Sequence, residues 1–186
     1  MIDKLLILFL LFIGLLINAI ITYYFEIFAK SKVTQTNPLY DLGHAILPNT
    51  SKYRLINDII ASLYPVIGVY ITYNNSNFKK ILTAFLVIFF LRIITAYVTV
   101  FPPSHECQEY SFFVGGCHDK MFSGHLSLIL LTSFLIMKQY PKYTPHIILF
   151  CILYALQIIA SRDHYTVDVF IATFIATLIG KLYKFI

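Results

Sequence analysis

The chain has 186 residues, of which 59% are hydrophobic and only 12% charged, with a mean hydropathy of +0.77. A soluble domain is nearer half apolar and a quarter charged and cannot hide this much apolar surface, so soluble-enzyme, disordered, collagen-like and coiled-coil classes are excluded and the bilayer is the solvent for most of the chain. The net charge of +5, from 14 Lys+Arg against 9 Asp+Glu, is spread singly or in pairs between apolar runs. That pattern reads as helix-end anchors and excludes a nucleic-acid partner, which needs a basic patch with interleaved aromatics.

Six apolar runs follow one another: Leu5 to Phe28, Ile56 to Tyr73, Ile81 to Phe101, Phe122 to Met137, Ile147 to Ala160 and Val167 to Tyr183. A spanning helix needs about 20 residues. The predicted fold is an all-α membrane protein, a six-transmembrane-helix bundle making one catalytic domain over residues 1–186. The first run is too long for a signal-peptide core and lacks a small-residue cleavage site, so it reads as a retained signal anchor. The fourth and fifth runs are short. They reach spanning length only if Ser123, His125, Arg162 and His164 lie in the interfacial turns of their helices.

Three connections are short, at Asn74 to Lys80, Lys138 to His146 and Ser161 to Thr166, and two are long, at Ala29 to Leu55 and Pro102 to Met121. With six spans, one side carries Lys4, Lys79, Lys80, Lys138, Lys142, Lys181 and Lys184. The other carries Lys30, Lys32, Lys52, Arg54, Lys120 and Arg162. The positive-inside bias puts both termini in the cytosol and both long loops, with the loop at His164, in the lumen or outside the cell.

The residues that carry chemistry gather on that second side. Cys117-His118-Asp119-Lys120-Met121-Phe122-Ser123-Gly124-His125 opens the fourth span, and His164-Tyr165-Thr166-Val167-Asp168-Val169 opens the sixth. Both helices start at the same membrane face, so His125 and His164 are expected at equal depth, each in the first turn of a helix. His164 and Asp168 are spaced i, i+4, which on a helix places them on one face. A carboxylate there accepts the Nδ1 proton and leaves Nε2 free, the arrangement of a nucleophilic or basic histidine. Ser123 is the expected N-cap of the fourth span, and Gly124 permits close backbone approach. The two helix N-termini are expected to offer free N–H groups to a phosphate.

Arg92 lies about two turns inside the third span, where a charge either pairs with a carboxylate or meets a lipid phosphate. Arg162, beside His164, has the fork geometry for a phosphate. Asp119 and Asp163 flank the site. Cys107 and Cys117 share a loop that faces an oxidising compartment in this orientation, which allows a disulfide bracing the approach to His125. The His, Cys and Asp spacing matches no common zinc pattern.

At these residues the sequence resembles the sphingomyelin synthase family, within the lipid phosphatase and phosphotransferase superfamily of the PAP2-like C-terminal type. The family carries a Cys-Gly-Asp-x3-Ser-Gly-His-Thr block and a His-Tyr-Thr-x-Asp-Val block. They stand here as Cys117 to Leu126 and His164 to Val169. Pro38-Leu39-Tyr40-Asp41 is similar to a Pro-Leu-Pro-Asp stretch after the first span, and Arg92-Ile93-Ile94-Thr95 to an Arg-x-Ile-Thr stretch in the third. The departures are His118 for Gly, Leu126 for Thr and Tyr40 for Pro. From its length, no cytosolic N-terminal domain of the kind some members carry is expected.

The resemblance implies transfer of a phospho-head group, phosphocholine first, from a glycerophospholipid such as phosphatidylcholine to ceramide, releasing diacylglycerol, with no metal or other cofactor. It implies that His164, oriented by Asp168, attacks the donor phosphorus, and that His125 serves as acid and then base. Arg92, Arg162, Ser123, Gly124, Asp119, Tyr165 and Asp41 would line the substrate site. Ethanolamine or inositol phosphate head groups are the first alternatives. A lipid phosphatase is a second, although the Lys-x6-Arg-Pro block usual in that superfamily is absent. A non-catalytic membrane protein that binds lipid is the rival from another class.

Overall fold

The computed structural model describes residues 2–33, 37–74, 76–104 and 117–186. Among them every regular element is a helix. The helices are α1 (Ile2–Lys32), the short α2 (Leu42–Ile46), α3 (Arg54–Thr72), α4 (Asn77–Val98), α5 (Gly124–Gln139), α6 (Thr144–Ala160) and α7 (Thr166–Leu182), with single 3-10 turns leading into α3 and α6. Stretches at Phe12–Lys32, Ser51–Thr72, Asn77–Val98 and Pro141–Ala160 are long and apolar enough to cross a membrane. Large apolar side chains point outward along the bundle, among them Phe90, Tyr70 and Phe170 at 64%, 80% and 77% exposure. In water that surface would drive aggregation; in lipid it is the solvated face.

α5 and α7, at 16 and 17 residues, stop short of the expected spanning length. The burial of α5 explains its weaker apolar signal. It lies at the centre, packed on α3, α4, α6 and α7. Its buried side includes Leu126, Ile129, Leu131 and Leu135 together with Ser127, Thr132 and Ser133. A helix walled by protein needs no continuous lipid-facing surface, and small hydroxyl residues let neighbours approach. Gly68 of α3 meets it so closely that a Cβ there would lie 2.8 Å from Thr132 Cγ2. Ser133 Oγ lies 3.1 Å from Tyr64 Oη of α3, which answers one of the buried hydroxyls.

α1 is peripheral and packs along α4, where Phe25 and Ala29 meet Ala96. Pro65 stands inside α3 and removes one rung of its backbone ladder.

One sequence expectation about length is corrected. α6 ends at Ala160 and does not take in Arg162 or His164. Arg162 has φ 63°, a left-handed conformation that stops a helix of L-residues. α6 gains its length at the other end, from a 3-10 turn over Pro141–Tyr143.

Candidate active site

The chain reverses at every connection between long helices. The C-terminal ends of α1, α4 and α6 therefore meet the N-terminal ends of α3, α5 and α7. Polar side chains of four of these helices meet there with the loops before α5 and α7: Glu26 of α1 to His118, Asn57 of α3 to Asp163, Arg92 of α4 to Asp119, and His125 of α5 to Asp58 of α3. The two histidines named from the sequence thus lie at one end of the bundle.

Their settings differ from the expected ones. His125 is in the first turn of α5, which begins at Gly124, and Ser123 caps that helix as expected, its Oγ accepting from Leu126 N at 3.3 Å. His164 is not in a helix. α7 begins at Thr166 with Tyr165 as N-cap, so the expectation that His164 and Asp168 share a helix face is corrected. Asp168 sits in the first turn, and its Oδ2 accepts the Tyr165 N–H at 3.0 Å. The same oxygen lies 3.6 Å from His164 Nδ1. The hydrogen bond from that nitrogen goes elsewhere: Nδ1–H donates to the carbonyl of Lys120 at 3.1 Å. A carbonyl only accepts, so this contact fixes the Nδ1–H tautomer and leaves Nε2 as the ring's acceptor.

Burial drives His164 well below the ordinary imidazole range, to about 3, with the positive charges of Lys120 and Arg92 adding to it. The resting ring is neutral. Its 3.6 Å contact with Asp168 becomes an ion pair only when the ring acquires charge.

The segment Cys117 to Lys120 is braced at each residue. Cys117 is disulfide-bonded, while Cys107, paired with it in the sequence expectation, lies outside the described residues. His118 Nδ1 is 2.8 Å from Glu26 Oε1, and its N–H donates to Glu26 Oε2 at 3.1 Å. Asp119 pairs with the Arg92 guanidinium. Lys120 Nζ donates to Asp163 O at 3.0 Å. Gly124 lets Arg92 pass close by, since a Cβ there would lie 3.0 Å from Arg92 Cδ and 3.1 Å from Nε.

Other expected substrate contacts are taken up by the fold. Asp41 accepts from Thr166 N at 2.8 Å, Thr166 Oγ1 at 2.7 Å and His44 N at 2.9 Å, so it caps both α2 and α7. Burial alone would raise its carboxyl, but these hydrogen bonds outweigh burial and hold it below the usual carboxylate range. The first amide of α7 is therefore spent on Asp41, which corrects the expectation of two free helix N-termini. The Arg162 guanidinium donates to His44 O at 2.7 Å and Leu47 O at 3.2 Å. Tyr165 Oη donates to the Pro102 and Pro103 carbonyls, each at 3.2 Å, and accepts from Leu39 N. These three residues clasp the loops around His164.

Sequence reasoning missed Asp58, whose Oδ1 lies 3.7 Å from His125 Nε2. It also missed the network in which Asp163 holds Arg54 Nε at 3.0 Å and both Asn57 Nδ2 and Ser161 Oγ at 2.6 Å. A carboxylate inside an apolar run was the available signal.

The helical bundle thus collects two imidazoles, two carboxyl groups beside them and a braced basic loop at one end. Residues 116–185, which hold both histidines, match the PAP2 superfamily C-terminal family. The chain is similar to the phosphatidylinositol:ceramide inositolphosphotransferases of Oryza sativa subsp. indica and subsp. japonica, each 30% identical over 186 residues covering 76% of this chain and 54% of the relative. It is also 33% identical over 117 residues to phosphatidylinositol:ceramide inositolphosphotransferase 2 of Arabidopsis thaliana, covering 48% of this chain and 37% of that protein. The chain spans about half the length of its rice relatives.

Proposed function

We propose that the chain is a multi-pass membrane phosphotransferase that moves a phospho-head group from a glycerophospholipid to ceramide and releases diacylglycerol. The observation that carries this is the His164 ring, neutral, buried, and held by the Lys120 carbonyl in the tautomer whose Nε2 is free to attack.

In the first step Nε2 of His164 bonds to phosphorus as the P–O bond to diacylglycerol breaks, and protonated His125 gives its proton to the departing oxygen. The phosphorylated ring then carries a positive charge. The Lys120 carbonyl and Asp168 stabilise it. In the second step a ceramide hydroxyl passes its proton to His125 while its oxygen bonds to phosphorus. The N–P bond breaks and His164 returns to neutral. Asp58 beside His125 favours the charged ring that both steps pass through. Both roles are filled by imidazoles, so the cycle needs no metal.

The head group follows the relatives, which are named as inositolphosphotransferases. We therefore place phosphoinositol ahead of phosphocholine, reversing the order taken from the sequence resemblance. The topology that fits is six spans, with the α5 and α7 ends closed by the same face, and that face is lumenal or external by the positive-inside bias. The alternating helix ends support it.

The test is purified protein with labelled ceramide and separate phosphatidylinositol, phosphatidylcholine and phosphatidylethanolamine donors, products resolved by chromatography. Labelled inositol phosphorylceramide and diacylglycerol are expected, and His164→Ala abolishes both. A folded protein that converts no donor, or a His164→Ala variant with full turnover, overturns the reading.

A further inference from the structure

Lys120 is 5% exposed, yet its charge is poorly answered. Its Nζ donates to the Asp163 carbonyl at 3.0 Å, and among the described residues it forms no ion pair. The neighbouring acids are committed elsewhere: Asp163 to Arg54, Asn57 and Ser161, Asp119 to Arg92. An ammonium has three protons, so among the described residues two are left without an acceptor. Leaving a charge buried without its counter-charge is strongly destabilising, unless an anion joins it.

Its position says which anion. The backbone carbonyl of Lys120 receives the Nδ1–H of His164, and its ammonium is tied to the carbonyl of the residue just before that histidine. One residue therefore holds the His164 ring by its carbonyl and the preceding residue by its ammonium, which brings a positive charge near the attacking ring. Arg92, the nearest basic side chain of α4 to the α5 start, is already shared with Asp119, though its Nε is buried without a partner. A plain structural anchor for the Asp163 carbonyl would need only a neutral donor.

We propose that Lys120 is a further catalytic residue, whose ammonium binds the non-bridging oxygens of the donor's phosphate diester and holds the phosphorus against His164. This rests on the transferase reading above. Burial lowers the ammonium's affinity for its proton, with the Asp163 charge opposing, so a bound phosphate would also recharge it. The developing negative charge on phosphorus would then meet a cation already in place, at no cost in reorganisation.

The test uses the full chain in detergent. Its melting temperature is measured with phosphatidylinositol and with diacylglycerol, which lacks the phosphate, alongside turnover of labelled ceramide. Lys120→Gln keeps a donor for the Asp163 carbonyl and removes the charge. It is expected to melt like the unsubstituted protein without lipid, to lose the phosphatidylinositol-induced rise, and to turn over about 100-fold more slowly. Lys120→Arg should keep most of the rise and of the turnover. Wild-type turnover and a wild-type rise in Lys120→Gln overturn the proposal, as does equal loss in the Gln and Arg variants. If Lys120→Gln does not fold, amine labelling of Lys120 in the unsubstituted protein decides: phosphatidylinositol should protect it and diacylglycerol should not, and equal labelling overturns the proposal. A Lys120-dependent rise in a protein that converts no ceramide would refute the transferase reading and leave the phosphate site standing.

Discussion

Asp58 Oδ1 stands 3.7 Å from His125 Nε2, across the packed contact between α3 and α5. The two residues are 67 positions apart, and each histidine of the site thereby has a carboxyl group beside its ring. Removing this charge while keeping the shape, Asp58→Asn, is expected to slow turnover about 10- to 100-fold, within the range of general acid–base contributions. KM should stay nearly unchanged, because Asp58 acts through His125. Steady-state kinetics of the folded variant checks this, and unchanged turnover would remove Asp58 from the proton path.

Asp168 has two jobs, and two substitutions separate them. Asp168→Asn retains an acceptor for the Tyr165 N–H but loses the charge facing His164. It should fold normally and lose turnover by orders of magnitude, since the charged ring of the intermediate then lacks its partner. Asp168→Ala loses the cap as well and should also be less stable by about 1 kcal/mol. Comparing melting temperatures with initial rates distinguishes the two effects.

The Glu26–His118 pair should respond asymmetrically to truncation. Glu26 is 2% exposed and His118 8%. His118→Ala leaves the buried Glu26 carboxyl group with only the backbone N–H of residue 118 and should cost about 3 kcal/mol. Glu26→Ala leaves no buried carboxyl group behind and should cost less. Chemical denaturation of both variants in the same detergent gives the comparison, and equal losses would contradict it.

The buried neutral state of His164 gives stability a pH slope. An unfolded imidazole takes up a proton below about 6.5, whereas the folded one resists until about 3. Between those values the unfolded state binds more protons, so this residue's contribution falls as pH falls, and the loss is complete only below the folded value. Melting temperature should therefore drop from pH 7 to pH 5 more steeply in the unsubstituted protein than in His164→Asn. Parallel slopes would show that His164 is not held neutral.

Gly124→Ala tests the Arg92 position. The added Cβ would press on Arg92 at 3.0 to 3.1 Å and push it from Asp119. Turnover should fall, with little change in helix content by circular dichroism because Ala favours helix over Gly.

Much of this protein is written locally in its chain. Apolar run length and the near absence of charge set the membrane class, because transfer into lipid sums over neighbouring residues. The Ser123-Gly124-His125 start of α5 was legible for the same reason: capping acts within one turn. That His125 and His164 lie at one end of the bundle followed from alternating direction alone. What escaped was every partner distant in sequence. The carbonyl that sets the His164 tautomer lies 44 residues away, and the cap of α7 comes from Asp41, 125 residues from Thr166. His164 left its expected helix because Arg162 turns left-handed and Asp41 starts α7 at Thr166. Hydropathy and spacing measure how each segment meets its solvent. Which acceptor a buried proton finds is decided only when the segments pack, since each buried polar group takes the partner the packing brings to it.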